Sequence, residues 1–145
     1  MKIAYHFWIL VTLALTCNFL QGAESFSKGV VVSVSQPGSD AGLQILKSGG
    51  NAVDAAVATA FALAVTHPAA GNIGGGGFMV VHPPKDKGEP TVFEYREMAP
   101  KAAFETLFKK TDGIFTHKVS GVPGTVRGLA LAHQRFGSKP WAQIL

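Results

Sequence analysis

Residues 51 to 100 read NAVDAAVATAFALAVTHPAAGNIGGGGFMVVHPPKDKGEPTVFEYREMAP. Asn51 is a helix cap, and Asp54 falls in the first turn that follows, where the helix dipole favours a carboxylate. Ala52 to Val65 is apolar nearly all round, which predicts a helix packed on several sides inside a larger protein. Pro68 stops it. Gly71, Gly74, Gly75, Gly76 and Gly77 then crowd one turn, a composition tolerated where side chains cannot fit or where φ must be positive. Phe78 to His82 predicts a strand, Pro83 to Pro90 a polar turn, and Thr91 to Tyr95 an antiparallel return, making a hairpin. Arg96 leaves that return strand.

Two of these features invite chemistry. The glycine turn lacks the Lys-Ser/Thr ending of a phosphate loop. Its order of helix, glycines and strand also reverses the dinucleotide-binding arrangement. Close backbone packing beneath a site is therefore its better reading. Asn72 bonds to backbone within such a turn and takes no catalytic role. Arg96 has a planar, permanently charged guanidinium that can clamp a carboxylate through two parallel hydrogen bonds. On the residues alone, a structural ion pair with Glu94 or Glu97 is the more frequent explanation.

Outward from this stretch, Gly29 to Ser35 is β-branched and predicts a buried strand. Ser39 can cap a helix from Asp40 to Ser48, with Ala41, Ile45 and Leu46 on one face and Gly49-Gly50 as its end. Beyond the hairpin, Ala102 to Lys110 predicts a helix and Thr111-Asp112-Gly113 a turn. Pro123 suits a helix start, Val126 to Phe136 continues it, and Gly137 stops it. Lys139 to Leu145 opens a further helix. Helices and a short sheet alternate without internal repeats, so the class is α+β.

The 145 residues carry one cysteine and a formal charge of +4, which allows one domain or part of one. Residues 1 to 23 have the form of a signal peptide. Lys2 supplies the positive start, Ile3 to Leu20 the apolar run, and Gln21-Gly22-Ala23 the cleavage site. The apolar run is close to the lower limit of a membrane span, but Thr12, Thr16, Cys17 and Asn18 dilute it. Cleavage after Ala23 removes Cys17 and leaves no thiol for a disulfide or for nucleophilic chemistry. Such a cysteine-free exported chain suits a periplasmic or secreted protein. The remaining charge is mild and scattered, which argues against nucleic acid as a partner. His67, His82, His117 and His133 lack metal-ligand spacing, so no metal is expected. Ser120 and Thr125 have no base nearby in sequence and are turn and cap residues rather than nucleophiles.

Several blocks, in order, carry a family resemblance. They are Ala41 to Ala56 (AGLQILKSGGNAVDAA), His67 to Phe78 (HPAAGNIGGGGF), Arg96 to Pro100 (REMAP) and Gly121 to Val126 (GVPGTV). Together they resemble the gamma-glutamyltranspeptidases, also called glutathione hydrolases, over most of the chain beyond its first stretch. The resemblance implies that residues 24 to 145 are the N-terminal portion of the large subunit, an incomplete part of the αββα sandwich of the N-terminal-nucleophile hydrolases. It implies that Arg96 binds the α-carboxylate of the γ-glutamyl group. It further implies transfer of that group from glutathione or a related γ-glutamyl amide to water, an amino acid or a peptide, without metal or organic cofactor. The nucleophile in the family is a threonine released by autocleavage as the N-terminus of a small subunit, and it would lie beyond Leu145. The chain alone is then expected to be inactive. Two other readings stay open: a related acylase acting on another amide, such as a β-lactam side chain, and a non-catalytic exported fragment.

Overall fold

The computed structural model describes residues 28 to 108 and 116 to 145. The leader at residues 1 to 23 and the turn at Thr111-Asp112-Gly113 lie outside the described residues. The described elements are helix α1 (Gln36–Lys47), helix α2 (Ala52–Thr66), strands β1 (Phe78–Val81) and β2 (Thr91–Glu94), and helix α3 (Thr125–Phe136). Short 3₁₀ turns fall at His117–Val119 and Trp141–Gln143.

Helix α1 begins at Gln36 rather than at Asp40. Pro37 in its first turn explains the difference, because its fixed φ suits that position and its missing N–H costs nothing there. Ser39 is no cap; its hydroxyl bonds the Ser33 hydroxyl at 2.8 Å. The other end closes as anticipated. Gly49 adopts φ +85°, with Gly49 N donating to Leu46 O at 3.0 Å and Gly50 N to Ile45 O at 2.9 Å. This pairing satisfies carbonyls that a helix end leaves open. Gly49→Ala is expected to cost about 1 to 2 kcal/mol, the left-handed penalty of an L-residue. A denaturation midpoint unchanged by that substitution contradicts the left-handed end.

Asn51 and Asp54 make the cap of α2. Val53 N and Asp54 N donate to Asn51 Oδ1 at 2.9 and 3.0 Å, and Asn51 N donates back to Asp54 Oδ2 at 2.9 Å. Helices α1 and α2 pack closely, with buried Gly42 set against Thr59 and Ala55. The first half of α2 is buried through Val53, Ala55, Val57, Ala58 and Thr59. Its last turns are not, and Val65 is 80% exposed. The apolar core joins Val53, Val57 and Ala58 of α2 to Phe93 of β2, Leu129 and Ala132 of α3, and Ile144.

Strands β1 and β2 pair antiparallel, Phe78 opposite Glu94 and Val81 opposite Thr91. Met79, Val81 and Phe93 pack on or in the core, whereas Phe78, Val80 and Val92 are exposed. The period of two thus survives, with both faces apolar.

Four expectations are corrected. Gly29 to Ser35 is not a buried strand: it has no partner strand among the described residues, and Val30, Val32 and Val34 are exposed. β-branched composition favours extension, but a strand exists only against another strand. Ala102 to Phe108 forms isolated turns instead of a helix, and Lys109 and Lys110 lie outside the described residues. Ala103 N reaches Pro100 O at 2.8 Å and Leu107 N reaches Phe104 O at 3.0 Å. Phe104 and Phe108 remain exposed, so the segment gains no packed face to offset the cost of nucleating a short helix. Lys139 to Leu145 yields one 3₁₀ turn after Pro140, with Ile144 drawn into the core. Helix α3 starts at Thr125, two residues past Pro123 rather than at it.

Asp54 also anchors the far end of α3. The fully buried carboxylate accepts Ser138 N at 3.0 Å, Ser138 Oγ at 2.6 Å and Lys139 N at 3.4 Å. His133 Nε2 stands 3.3 Å from Asp54 Oδ1, at ion-pair distance but out of line for a hydrogen bond. Asn51 Nδ2 donates to Phe136 O at 2.6 Å, and Lys139 Nζ to Ser48 O at 2.6 Å. The start of α2 is thereby tied to the end of α3.

Candidate functional site

The separate motif blocks of the sequence meet in space at the end of the hairpin. The glycine turn brings Gly76 against the backbone of Tyr95 and Arg96. A Cβ at Gly76 would stand 2.6 Å from Tyr95 O and 2.8 Å from Arg96 Cα. No glycine between 71 and 77 has a positive φ, so close approach, not backbone conformation, is what the turn requires. Tyr95 N donates to Gly77 O at 3.0 Å. Gly124 also meets the Tyr95 carbonyl, and Gly128 of α3 meets the Tyr95 ring. Burial pushes the Tyr95 hydroxyl above its ordinary pKa. The segment Arg96 to Pro100 then pairs with Gly121 to Gly124 through one antiparallel bridge. In it Met98 N donates to Val122 O at 3.1 Å and Val122 N to Met98 O at 2.8 Å.

A cleft of about 590 Å³ opens beside that bridge. Arg96 to Pro100 form one wall, Lys118 to Gly121 another, with Gly74, Ala103, Leu107 and Phe108 completing it. Another groove, of about 500 Å³, runs between residues 28 to 32 and α2. It is lined almost wholly by apolar side chains, with Lys28 as its charged group. The cleft with Arg96 has the mixed apolar and convergent polar lining expected of a ligand site.

Arg96 is 62% exposed and holds Glu97 through Nε at 3.2 Å. Of the two ion pairs considered from sequence, the one with Glu97 is therefore formed. It occupies only the Nε edge of the guanidinium. The Nη1–Nη2 edge makes no hydrogen bond among the described residues, and an edge of that geometry can take a planar carboxylate. The Glu97 carboxyl is held below its ordinary pKa, first by its own backbone amide and then, against desolvation, by Arg96 and the Gly76 amide. It is ionised at neutral pH, which keeps Arg96 oriented but leaves the second edge open.

Among the described residues no group of three or more His, Cys, Asp or Glu side chains is placed to hold a metal ion. Thr125 is buried at the first turn of α3, and its hydroxyl bonds Asn72 Oδ1 at 2.6 Å. Ser120 is exposed on the cleft wall. Sequence reasoning missed the part played by Tyr95 and by Gly128. The signal was present in Gly128, an otherwise costly residue inside a helix, whose lack of a side chain is explained only by the ring above it.

Comparison with known proteins adds the following. The family model described as gamma-glutamyltranspeptidase matches residues 38–145. The glutathione hydrolase proenzyme of Pseudomonas aeruginosa is 50% identical over 130 residues, spanning 85% of this chain and 23% of that protein. The chain thus spans about a quarter of the length of such curated relatives. Among solved structures, the gamma-glutamyltranspeptidase of Pseudomonas nitroreducens complexed with L-DON matches with a TM-score of 0.72. It is 50% identical and shares 83% of this chain and 37% of its own. A cephalosporin acylase from Bacillus halodurans matches with a TM-score of 0.68, at 31% identity, over 86% of this chain and 25% of its own. The helices and hairpin are an incomplete α+β piece of the N-terminal-nucleophile hydrolase architecture that these proteins share. Sequence blocks that are far apart in the chain, a cleft built where they meet, and a match running from residue 38 to 145 lead to one conclusion: this chain belongs to the gamma-glutamyltranspeptidase family.

Proposed function

We propose that the protein carrying these residues transfers the γ-glutamyl group of glutathione, or of a related amide, to water, an amino acid or a peptide. The observation that carries this reading is the open edge of Arg96 on the cleft wall, held in place by the Gly76 contact. Arg96 grips the α-carboxylate of the γ-glutamyl group through that edge. Fixing the amino-acid end presents the γ-carbonyl to a nucleophile, which removes much of the entropy cost of the reaction.

The nucleophile is a threonine outside these residues, the first residue of a small subunit made by autocleavage of the same precursor. Its hydroxyl oxygen bonds the γ-carbonyl carbon while its own amine takes the proton. The scissile amide bond breaks and the leaving amine gains a proton. Water or an acceptor amine then cleaves the ester. Residues 24 to 145 are the N-terminal portion of the large subunit, and residues 1 to 23 direct export to the periplasm or beyond.

One second reading has a specific observation behind it, the similarity to a cephalosporin acylase. A substrate panel on the full-length protein separates the two. Faster release from glutathione than from a β-lactam side-chain amide is expected, and the opposite order replaces the γ-glutamyl reading with the acylase one. The 145-residue chain by itself is expected to release no γ-glutamyl product. Measurable release by the purified chain overturns the assignment of the nucleophile to a residue outside it.

A further inference from the structure

Arg96 is held by backbone packing, and that packing is closed by the side chain of Asn72. Asn72 Oδ1, at the start of the glycine turn, accepts Gly75 N at 2.9 Å and Thr125 Oγ1 at 2.6 Å. Gly75 O in turn accepts Gly124 N at 2.8 Å and Thr125 N at 3.1 Å. The turn and the first residue of α3 are thus stitched together, through backbone and side chain, around a hydroxyl that is almost fully buried. The residue after this stitch, Gly76, lies against Tyr95 O and Arg96 Cα, and Gly124 lies against the same Tyr95 carbonyl and against Arg96 O. Tyr95 and Arg96 are therefore packed against two segments that the Gly75 carbonyl and the Asn72–Thr125 bond hold together.

We infer that Asn72 and Thr125 are a positioning pair that sets the place of Arg96 and thereby the affinity for the carboxylate end of the substrate. The inference rests on the reading of Arg96 as a carboxylate clamp. Neither residue touches the substrate. Thr125 donates its hydroxyl proton to a carbonyl oxygen that also braces Gly75. Replacing the hydroxyl by a methyl group leaves the bulk of Thr125 in place and the amide oxygen of Asn72 one donor short. A site held this way loses precision before it loses its fold.

The test is a set of variants of the full-length protein, assayed with glutathione. Loss of one buried hydrogen bond predicts that Thr125→Val raises KM about three- to tenfold, with kcat changed less than about twofold. Thr125→Ser, which keeps the hydroxyl, is expected to return KM close to the wild-type value, a rescue that loss of packing alone does not produce. In an Arg96→Ala background, Thr125→Val is expected to add almost nothing to KM, because the group it positions is gone.

An unchanged KM in Thr125→Val, with Arg96→Ala defective, overturns the positioning pair and leaves the clamp standing. An equal rise of KM in both backgrounds also overturns it, since the effect then bypasses Arg96. An unchanged KM in Arg96→Ala overturns the clamp itself, a result distinct from the other two. If Thr125→Val fails to accumulate, Asn72→Ala removes the same bond together with the one from Gly75 N, and a rise in KM at least as large is expected. An unchanged KM there overturns the pair as well.

Discussion

In the full-length protein, Arg96→Ala is expected to lower kcat/KM for glutathione by about 100-fold, most of it as a rise in KM. The magnitude follows from the bonds lost. A carboxylate on the Nη1–Nη2 edge makes two charge-assisted hydrogen bonds, each contributing about 1.5 to 3 kcal/mol when well formed. The side chain is 62% exposed, so the lower end applies, and about 1.4 kcal/mol corresponds to a factor of ten. The variant also leaves Glu97 ionised on the cleft wall without its cation, which repels an incoming carboxylate. On the proposed reading the grip on the α-carboxylate is the same in substrate and transition state, so KM should take most of the loss. Arg96→Lys keeps the charge but not the planar fork and is expected to fall between, about tenfold down. Thermal stability should hardly move, since an exposed ion pair such as Arg96–Glu97 contributes little. A kcat/KM for Arg96→Ala within threefold of wild type removes Arg96 from the binding site.

A different kind of loss is expected at Asp54. Asp54→Ala should destabilise the protein by about 3 to 5 kcal/mol, the cost of breaking a buried charged network by removing one member. The removed carboxylate accepts the Asn51 amide, the Ser138 amide and hydroxyl and the Lys139 amide, all of which lose their acceptor at once. Unpaired donors in a dry site cost more than the bonds contribute when made. Asp54→Asn keeps one acceptor oxygen but turns an N–H₂ toward donors, and should fall between wild type and Asp54→Ala.

The same carboxylate gives a pH signature. Burial alone raises its pKa, but the Ser138 hydroxyl and the amides of Asn51, Ser138 and Lys139 together outweigh burial and lower it below the ordinary 3.8. A depressed folded pKa means that the unfolded chain takes up protons first on acidification, so stability rises with pH through that range. The contribution of Asp54 is fully present above the unfolded value and is lost as pH falls through the folded one. Wild-type and Asp54→Ala thermal midpoints should therefore run parallel from neutral pH down to about 5 and draw together below about 4. Curves that converge already near pH 6, or midpoints that never differ, contradict the buried hub.

Much of the fold was legible in the residues. The capping box of Asn51 and Asp54, the glycine end of α1, the apolar α2 and the hairpin are local or nearest-neighbour features. Caps, left-handed glycines and alternation depend on a few adjacent positions, so their physics is written in the order of residues. Where the reading failed, the decisive partner was distant or absent from the described residues. The valines at 30, 32 and 34 have strand composition, yet among the described residues no strand lies alongside them. Residues 102 to 108 have helical composition, yet bury no face.

The site divides in the same way. The sequence by itself determined the residue types: a guanidinium at 96, glycines where backbone must come close, a carboxylate at the start of α2. It also determined the family, through the order of its motif blocks. Only the tertiary structure decided that Glu97 rather than Glu94 pairs with Arg96, and that Gly76 seats Arg96 against the turn. It also decided that Asn72 reaches Thr125 across 53 positions and that Asp54 closes on Ser138 across 84. Hydrogen bonds and close contacts act over a few ångströms, while the residues that make them are separated by long stretches of chain. Which of the many possible partners meet is set by packing of the whole, and no local pattern encodes it.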